Sequence, residues 1–167
     1  KTGLPIAYIT NHKEFFGYDF YVTPSVLIPK PDTELLVELA LNVLEDKSRS
    51  SPDSIFNVCD MCAGSGCVGI SILKTLARKK TEKNLPNFVL SDISENALDI
   101  AKKNSSRLLD KNLLRDKIHF VRSNLFENII SFKCLFLADS SFIIKLNSSS
   151  FLRFLPPSLI KSFLLKL

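Results

Sequence analysis

The feature that most constrains this chain is an alternation of short apolar runs with longer amphipathic segments between residues 55 and 138. The apolar runs predict four strands, at residues 55–59, 88–90, 118–121 and 135–138. Helices are predicted between them, over residues 68–79 and after Ser94, a capping residue. Such an alternation favours a mostly parallel sheet with helices on its faces and right-handed connections. The sequence therefore predicts an α/β fold.

The chain before this region predicts a β-hairpin and a proline-rich lead-in. Residues 7–10 and 14–22 are rich in aromatic and β-branched side chains around Gly17, which is typical of a hairpin. Prolines follow at positions 24, 29 and 31. A helix capped by Asp32 or Thr33 is then expected to run to about residue 45, with a polar connector at residues 48–53. Its apolar residues at helical spacing are Leu35, Leu36, Leu39, Ala40, Val43 and Leu44.

Composition and charge narrow the class of protein. The chain has 167 residues, of which 46% are hydrophobic and 23% charged, as in an ordinary globular domain. It has neither a run of about 18 uncharged apolar residues nor a secretory leader at its start, so we expect a cytoplasmic protein without a membrane segment. The net charge is +5, but residues 128–167 hold five basic residues and one acid. Scattered tail charges of this kind disfavour nucleic-acid binding.

The four cysteines do not form a typical metal-site pattern. Cys59, Cys62 and Cys67 are close in sequence, whereas Cys134 is distant. Zinc sites usually combine two Cys/His pairs, and no second pair occurs here. We therefore expect no metal, and we expect the clustered cysteines to be small buried side chains.

The segment from Asp60 to Cys67 is the candidate ligand site. An acid closes the first strand, and small residues lead to a helix N-terminus, so a ligand can approach the backbone closely. Residues 64–69 also match the dinucleotide pattern G-x-G-x-x-G, but Asp60 would repel a pyrophosphate. An acid suits the positive ammonium and sulfonium of S-adenosylmethionine, and Asp92, which ends the next strand, is placed to accept both ribose hydroxyls. The alternative that both acids only cap strand-to-helix turns stays open.

Several segments resemble the release-factor glutamine N5-methyltransferases. The lead-in contains LPIAYI, EFFG and VLIPKPDTE and is similar to that family's PxAYIxGxxEFYG…VLIPRPxTE. Residues 60–66, DMCAGSG, resemble its DLGTGSG, residues 92–98 its DISxxAL, and residues 123–126 its SDLF. The resemblance covers residues 3–127. It implies a Rossmann-like, S-adenosylmethionine-dependent methyltransferase fold preceded by the hairpin.

The resemblance also implies roles for individual residues. Asp60 and Asp139 belong to the expected cofactor site, Asp92 would hold the ribose, and Leu125 would lie against the adenine. The methionine part would be lined by Cys62, Ala63, Gly64, Ser65 and Gly66. Cys62 stands where the family has its first glycine. We expect a cysteine to be tolerated at this position only if its φ is negative.

The resemblance further implies a substrate, a glutamine in a peptide chain release factor, and we expect a monomeric enzyme. Lys30 replaces an arginine of the lead-in, which keeps the charge and loses the planar fork. Together with Pro31, Lys30 is expected to form part of the substrate wall.

The catalytic motif departs from the family. Asp139, Ser140, Ser141 and Phe142 stand where the family has Asn-Pro-Pro-Tyr. Asp139 can accept a hydrogen bond but cannot donate one as an asparagine does. The serines remove two fixed φ angles, and Phe142 lacks the tyrosine hydroxyl. We therefore expect impaired activity.

The family usually has a helical domain before this region and more sheet after it. We expect a truncated fragment with three parts: hairpin and lead-in (1–31), S-adenosylmethionine-binding core (32–139) and an atypical tail (140–167), with residues from 128 onward out of register. One alternative is a non-catalytic, cofactor-binding remnant. Another is an adenine-N6 nucleic-acid methyltransferase, since Asp139 and Phe142 also fit an Asp-Pro-Pro-Tyr-type motif. A nicotinamide-dependent dehydrogenase would rest on the glycine pattern alone.

Overall fold

A computed structural model describes residues 3–51, 54–79, 84–125, 127–129, 134–138 and 142–145, the last two segments as backbone. Its elements alternate between helices and strands over most of this length. In chain order they are α1 (Ile6–Thr10), β1 (His12–Phe15), β2 (Tyr18–Tyr21), a 3-10 turn (Pro31–Thr33), α2 (Glu34–Ser50), β3 (Asn57–Met61), α3 (Cys67–Ala77), β4 (Asn87–Asp92), α4 (Glu95–Leu108), α5 (Lys111–Asp116), β5 (Ile118–Arg122), β6 (Cys134–Ala138) and β7 (Phe142–Lys145).

The main sheet of the described residues has five strands in the order β5-β4-β3-β6-β7. The first four are parallel, and β7 is antiparallel to β6. Because β4 and β6 flank β3 on opposite sides, the strand order reverses at β3, as in Rossmann-like folds. The predicted α/β fold is confirmed.

Most predicted elements of the core are present, with shifted ends. β3 covers residues 57–61 rather than 55–59, and Ile55 is exposed outside the sheet. Ser94 caps α4 as predicted, with its Oγ accepting from the backbone nitrogen of Ala97 at 3.3 Å. The sequence did not predict α5, which is too short for a clear periodicity, or β7, which lies in the segment assigned to the tail.

The prediction of β structure at residues 7–10 is wrong, because residues 6–10 form the helix α1. The carbonyl of Pro5 accepts from the backbone nitrogen of Tyr8 at 3.0 Å, which starts the turn. Asn11, with φ 59°, ends it in the left-handed conformation. The Tyr8 hydroxyl donates to the carbonyl of Val26 at 2.8 Å, so α1 is tied to the lead-in.

The hairpin of β1 and β2 is confirmed, and it packs into the core. Phe16 and Gly17, with φ of 53° and 72°, form its two-residue turn, as primed hairpin turns require. Phe15 and Phe20 are fully buried and meet edge to face at 6.1 Å. The hydroxyls of Tyr18 and Thr75 are hydrogen-bonded at 3.0 Å, which joins the hairpin to α3.

Helix α2 continues to Ser50, through part of the predicted connector, and buries only part of the predicted apolar set. The buried residues are Val37, Ala40, Leu41 and Leu44. Of the predicted apolar residues, Ala40 and Leu44 are therefore buried, and Leu36 and Val43 pack against the core. Leu35 and Leu39 are instead 59% and 47% exposed. Apolar residues surround more than half of this helix, so periodicity alone does not select the packed face. Among the described residues, no helix is long and apolar enough to cross a bilayer.

Two leucines of α2, one buried and one exposed, provide a matched test of this packing. Leu44→Ala should lower the free energy of unfolding by about 2–5 kcal/mol, because a buried side chain is lost and a cavity remains. Leu35→Ala, at an exposed position of the same helix, should change it by less than about 0.5 kcal/mol. Urea denaturation followed by circular dichroism measures both, and equal effects would contradict the orientation of α2.

Candidate ligand-binding cleft

A cleft of about 290 Å³ lies at the carboxyl ends of β3 and β4. Its floor contains Asp60, the turn residues 62–65 and Asp92. Its opposite wall is formed by the lead-in, mainly residues 25–30 with Thr33. Ligands in open α/β folds bind outside the carboxyl ends of the strands, where the strand order reverses. The cleft therefore occupies the place in this fold where a small ligand is expected.

Asp60 is buried on β3, at 4% exposure, and borders the cleft. One carboxylate oxygen, Oδ2, accepts a hydrogen bond from the backbone nitrogen of Gly69 at 2.9 Å. Gly69 lies in the first turn of α3, where free backbone N–H groups and the helix dipole stabilise a negative charge. The start of α3 thus holds the Asp60 carboxylate in place.

Asp92 is half-buried at the end of β4 and connects three loops. Its Oδ2 accepts from the backbone nitrogen of Gly64 at 2.9 Å, and its Oδ1 from that of Ser94 at 3.0 Å. Its backbone carbonyl accepts from the nitrogen of Ser123 at 3.0 Å. Asp92 therefore does cap a strand-to-helix turn. Each carboxylate oxygen has a second lone pair, so these bonds leave acceptor capacity for a ligand.

The turn between β3 and α3 depends on left-handed residues. Cys62, Gly64 and Gly66 have φ of 57°, 53° and 75°. The backbone nitrogen of Ala63 donates to the carbonyl of Ser91 at 2.9 Å, which anchors the turn to β4. A Cβ on Gly66 would lie 2.8 Å from Ile70 Cδ1, so this position needs a glycine for both conformation and space.

The expectation that a cysteine at position 62 is tolerated only with a negative φ is wrong. The chain leaves β3 through a left-handed residue, and Cys62 adopts that conformation, which costs a non-glycine residue about 1–2 kcal/mol. Its side chain is exposed and borders the cleft, whereas Cys59 and Cys67 are buried. The prediction of buried side chains therefore holds for two of the three clustered cysteines. In the described part of the chain, no three His, Cys, Asp or Glu residues are grouped as metal ligands.

Comparison with known proteins relates the chain to one family. No family model matches it. It is 44% identical over 125 residues to the release factor glutamine methyltransferase of Leptospira interrogans, which covers 75% of this chain and 38% of that protein. It is 39% identical over 130 residues to the enzyme of the same name from Clostridium acetobutylicum, covering 78% and 40%. The chain is a relative of the release factor glutamine methyltransferases. It spans less than half the length of these curated relatives.

Solved structures show a more distant likeness. The N-terminal domain of human METTL16 is 22% identical, with a TM-score of 0.49, and the match covers 78% of this chain and 44% of that one. A putative protein-L-isoaspartate O-methyltransferase from Plasmodium falciparum, in complex with S-adenosyl-L-homocysteine, is 16% identical, with a TM-score of 0.48 and coverages of 73% and 49%.

The residues expected from the release factor glutamine methyltransferase pattern are brought together in part. Asp60, Asp92 and residues 62–65 border the cleft, as does Lys30. Gly66 belongs to the same turn but is buried and does not line the cleft, and Pro31 is exposed outside the lining. Leu125 is 47% exposed in the loop after β5 and does not line the cleft.

The catalytic motif of the release factor glutamine methyltransferases falls largely outside the described residues. Asp139, Ser140 and Ser141 lie outside them, and Phe142 is described by its backbone as the first residue of β7. In the sheet register, Ala138 pairs with Met61 on one side and with Phe142 on the other. The start of β7 therefore lies at the same edge of the sheet as the cleft.

Sequence reasoning missed most of the opposite wall. Ser25, Val26 and Leu27 border the cleft. Val26 and Leu27 begin the VLIPKPDTE segment, which resembles the family pattern but predicted a site role only for Lys30 and Pro31. Ser94 and Ala97 from the start of α4 also contribute. The prolines of this segment predicted a lead-in, and the tertiary structure brings residues 25–30 to the same cleft as the turn.

A pair of alanine substitutions tests the glycine turn. Gly64→Ala should lower the free energy of unfolding by about 1–2 kcal/mol, because alanine is strained in the left-handed conformation of this position. No steric clash with the described residues adds to this cost, since the nearest atom to a new Cβ is 4.0 Å away. Gly66→Ala should cost about 1–3 kcal/mol more, since its Cβ would overlap packed side chains. Chemical denaturation measures the difference, and similar losses would argue against the close packing at Gly66.

Proposed function

We propose that the cleft binds S-adenosylmethionine and that the chain is the cofactor-binding part of a methyltransferase acting on a glutamine of a peptide chain release factor. The observation that carries this proposal is the placement of Asp60 and Asp92 on either side of the small-residue turn in one cleft. The similarity to release factor glutamine methyltransferases supports both the cofactor and the substrate.

The chemistry of the cleft fits this cofactor. Asp60 offers a negative charge to the ammonium group, and Asp92 has acceptor capacity for ribose hydroxyls. A Cβ on Gly64 would have its nearest neighbour at 4.0 Å, so a ligand has room to approach the turn there. Lys30 is the basic residue among the lining residues. Among the described residues, the lining thus has two carboxylates, Asp60 and Asp92, and one basic side chain, Lys30. The excess of negative charge disfavours a dinucleotide, because its pyrophosphate is also negatively charged.

In the proposed reaction, the protein acts mainly by positioning. The amide nitrogen of glutamine is a poor nucleophile because its lone pair is delocalised, and holding it against an electrophile supplies much of the rate. S-adenosylmethionine, when bound, supplies that electrophile as a methyl group on a sulfonium. Asp139 would accept a hydrogen bond from the glutamine amide. Ser140 and Ser141 lack the rigidity of prolines, so we propose impaired activity.

The proposal includes the arrangement of the chain. Residues 1–31 would form the hairpin and lead-in, 32–139 the cofactor-binding core and 140–167 a tail. A monomeric enzyme is part of the proposal. The release factor named for the relatives supports a cytoplasmic location, where translation ends.

Binding measurements test the cofactor. By titration calorimetry, the chain should bind S-adenosylmethionine in preference to NAD. Asp92→Ala should weaken binding of S-adenosylmethionine by about 1–3 kcal/mol, because charge-assisted hydrogen bonds are lost. Asp99→Ala removes an exposed carboxylate from α4 and should leave the affinity unchanged. Tighter binding of NAD would overturn the methyltransferase proposal.

Methyl transfer tests the catalytic segment. The unmodified chain should transfer no detectable labelled methyl to purified release factor, because a displacement of about 1 Å can cost on the order of a hundredfold in rate. The combined change Asp139→Asn, Ser140→Pro, Ser141→Pro and Phe142→Tyr should restore some transfer. Robust transfer by the unmodified chain would contradict the proposed impairment. Transfer to an adenine-containing oligonucleotide instead would support the nucleic-acid alternative.

A further inference from the structure

Asn104 connects three separate parts of the molecule through one side chain. It lies on α4, is completely buried and does not border the cleft. Its Nδ2 donates to the carbonyl of Ser65 and to the carbonyl of Tyr21, each at 2.9 Å. Its Oδ1 accepts from the backbone nitrogen of Tyr21 at 2.7 Å. One side-chain amide thus joins the turn after β3, the hairpin and α4.

The hydrogen bond from Asn104 to the Ser65 carbonyl restrains the turn from a residue that does not line the cleft. On the other side, the turn is held by the bonds of Ala63 to Ser91 and of Gly64 to the Asp92 carboxylate. Ser65 is 2% exposed, and a buried carbonyl without a partner costs free energy. Asn104 supplies the donor that this carbonyl needs, and so limits the conformations open to residues 62–66.

The same side-chain amide couples the hairpin to the turn through shared hydrogen bonds. Both backbone groups of Tyr21 bind Asn104, so the end of β2 and Ser65 are held at fixed distances from one side chain. At its other end, the hairpin is tied to the start of α2, because the backbone nitrogen of Phe16 donates to Glu34 Oε1 at 3.0 Å. The hairpin is therefore hydrogen-bonded to the start of α2 at its turn, and through Asn104 to Ser65 at the end of β2.

We propose that Asn104 is a positioning residue that keeps the Gly-rich turn in the conformation competent to bind its ligand. The proposal rests on the function proposed above, because it concerns affinity for S-adenosylmethionine. The side chain must offer two donors and an acceptor at one end. Aspartate retains the shape and the acceptor but loses both donors, and serine is too short to reach all three partners.

The test compares Asn104→Asp and Asn104→Ser in the 167-residue chain with two controls. Asn112→Asp makes the same chemical change at an exposed position on α5. Leu113→Ala removes a buried side chain from α5 and destabilises the fold away from the cleft. With all proteins folded, the Asn104 variants should bind S-adenosylmethionine about tenfold more weakly by calorimetry, the effect of losing oriented hydrogen bonds. Both controls should retain the parent's affinity.

Hydrogen exchange separates positioning from general destabilisation. In the Asn104 variants, the backbone amides of residues 63–66 should exchange faster than those of β3, whereas Leu113→Ala should not single out the turn. Parent-like affinity in a folded Asn104 variant, or equal loss of affinity in Leu113→Ala, would overturn the proposal. If no protein binds S-adenosylmethionine, the proposed function fails, and exchange at residues 63–66 alone decides the role of Asn104.

A measurement on the unmodified chain covers the case in which no Asn104 variant folds. The side-chain amide protons of Asn104 should exchange slowly in nuclear magnetic resonance spectra, and saturating S-adenosylmethionine should slow them further, because ligand and side chain stabilise the same turn. Fast exchange, or no response to a ligand that binds, would overturn the proposal.

Discussion

The parallel pairing of β3 with β4 is the constraint on which the rest of the site depends. In this register Asp60 lies opposite Leu90 and Met61 opposite Ser91, so both strands end at the same edge. Only then can the turn after β3 place its Gly64 amide on the Asp92 carboxylate. A shift in this register would separate the two acids and remove the cleft. The chemistry of the site is therefore a consequence of sheet geometry.

The conformation of the turn at residues 62–66 is restrained by several short contacts at once. Its backbone is held by β4, by Asp92 and by Asn104, and Gly66 allows close packing against Ile70. These restraints stabilise left-handed conformations that cost free energy, including one at Cys62. A preorganised backbone of this kind loses little conformational entropy when a ligand binds. Ligand binding is therefore expected to depend on the conformation of the whole turn, and not on one side chain alone.

Errors in prediction have local causes that can be identified. Residues 7–10 contain β-branched side chains, which favour a strand, although Pro5 and Asn11 mark the start and end of a short helix. In α2, leucines occur on several sides, and only packing against the rest of the core shows that Leu44 is buried and Leu35 exposed. Sequence periodicity reports that a helix has an apolar face, but it is ambiguous when apolar residues are too many.

The sequence by itself determined the strand–helix alternation, the hairpin, the Ser94 cap and the two acids at strand ends. All of these are local signals, carried by residue type and short-range spacing. Only the tertiary structure decided that the lead-in and the turn line one cleft, that Leu125 lies outside it and that Asn104 joins the hairpin to Ser65. Those relations join residues distant in sequence, and they arise from packing and hydrogen-bond geometry that no local pattern encodes.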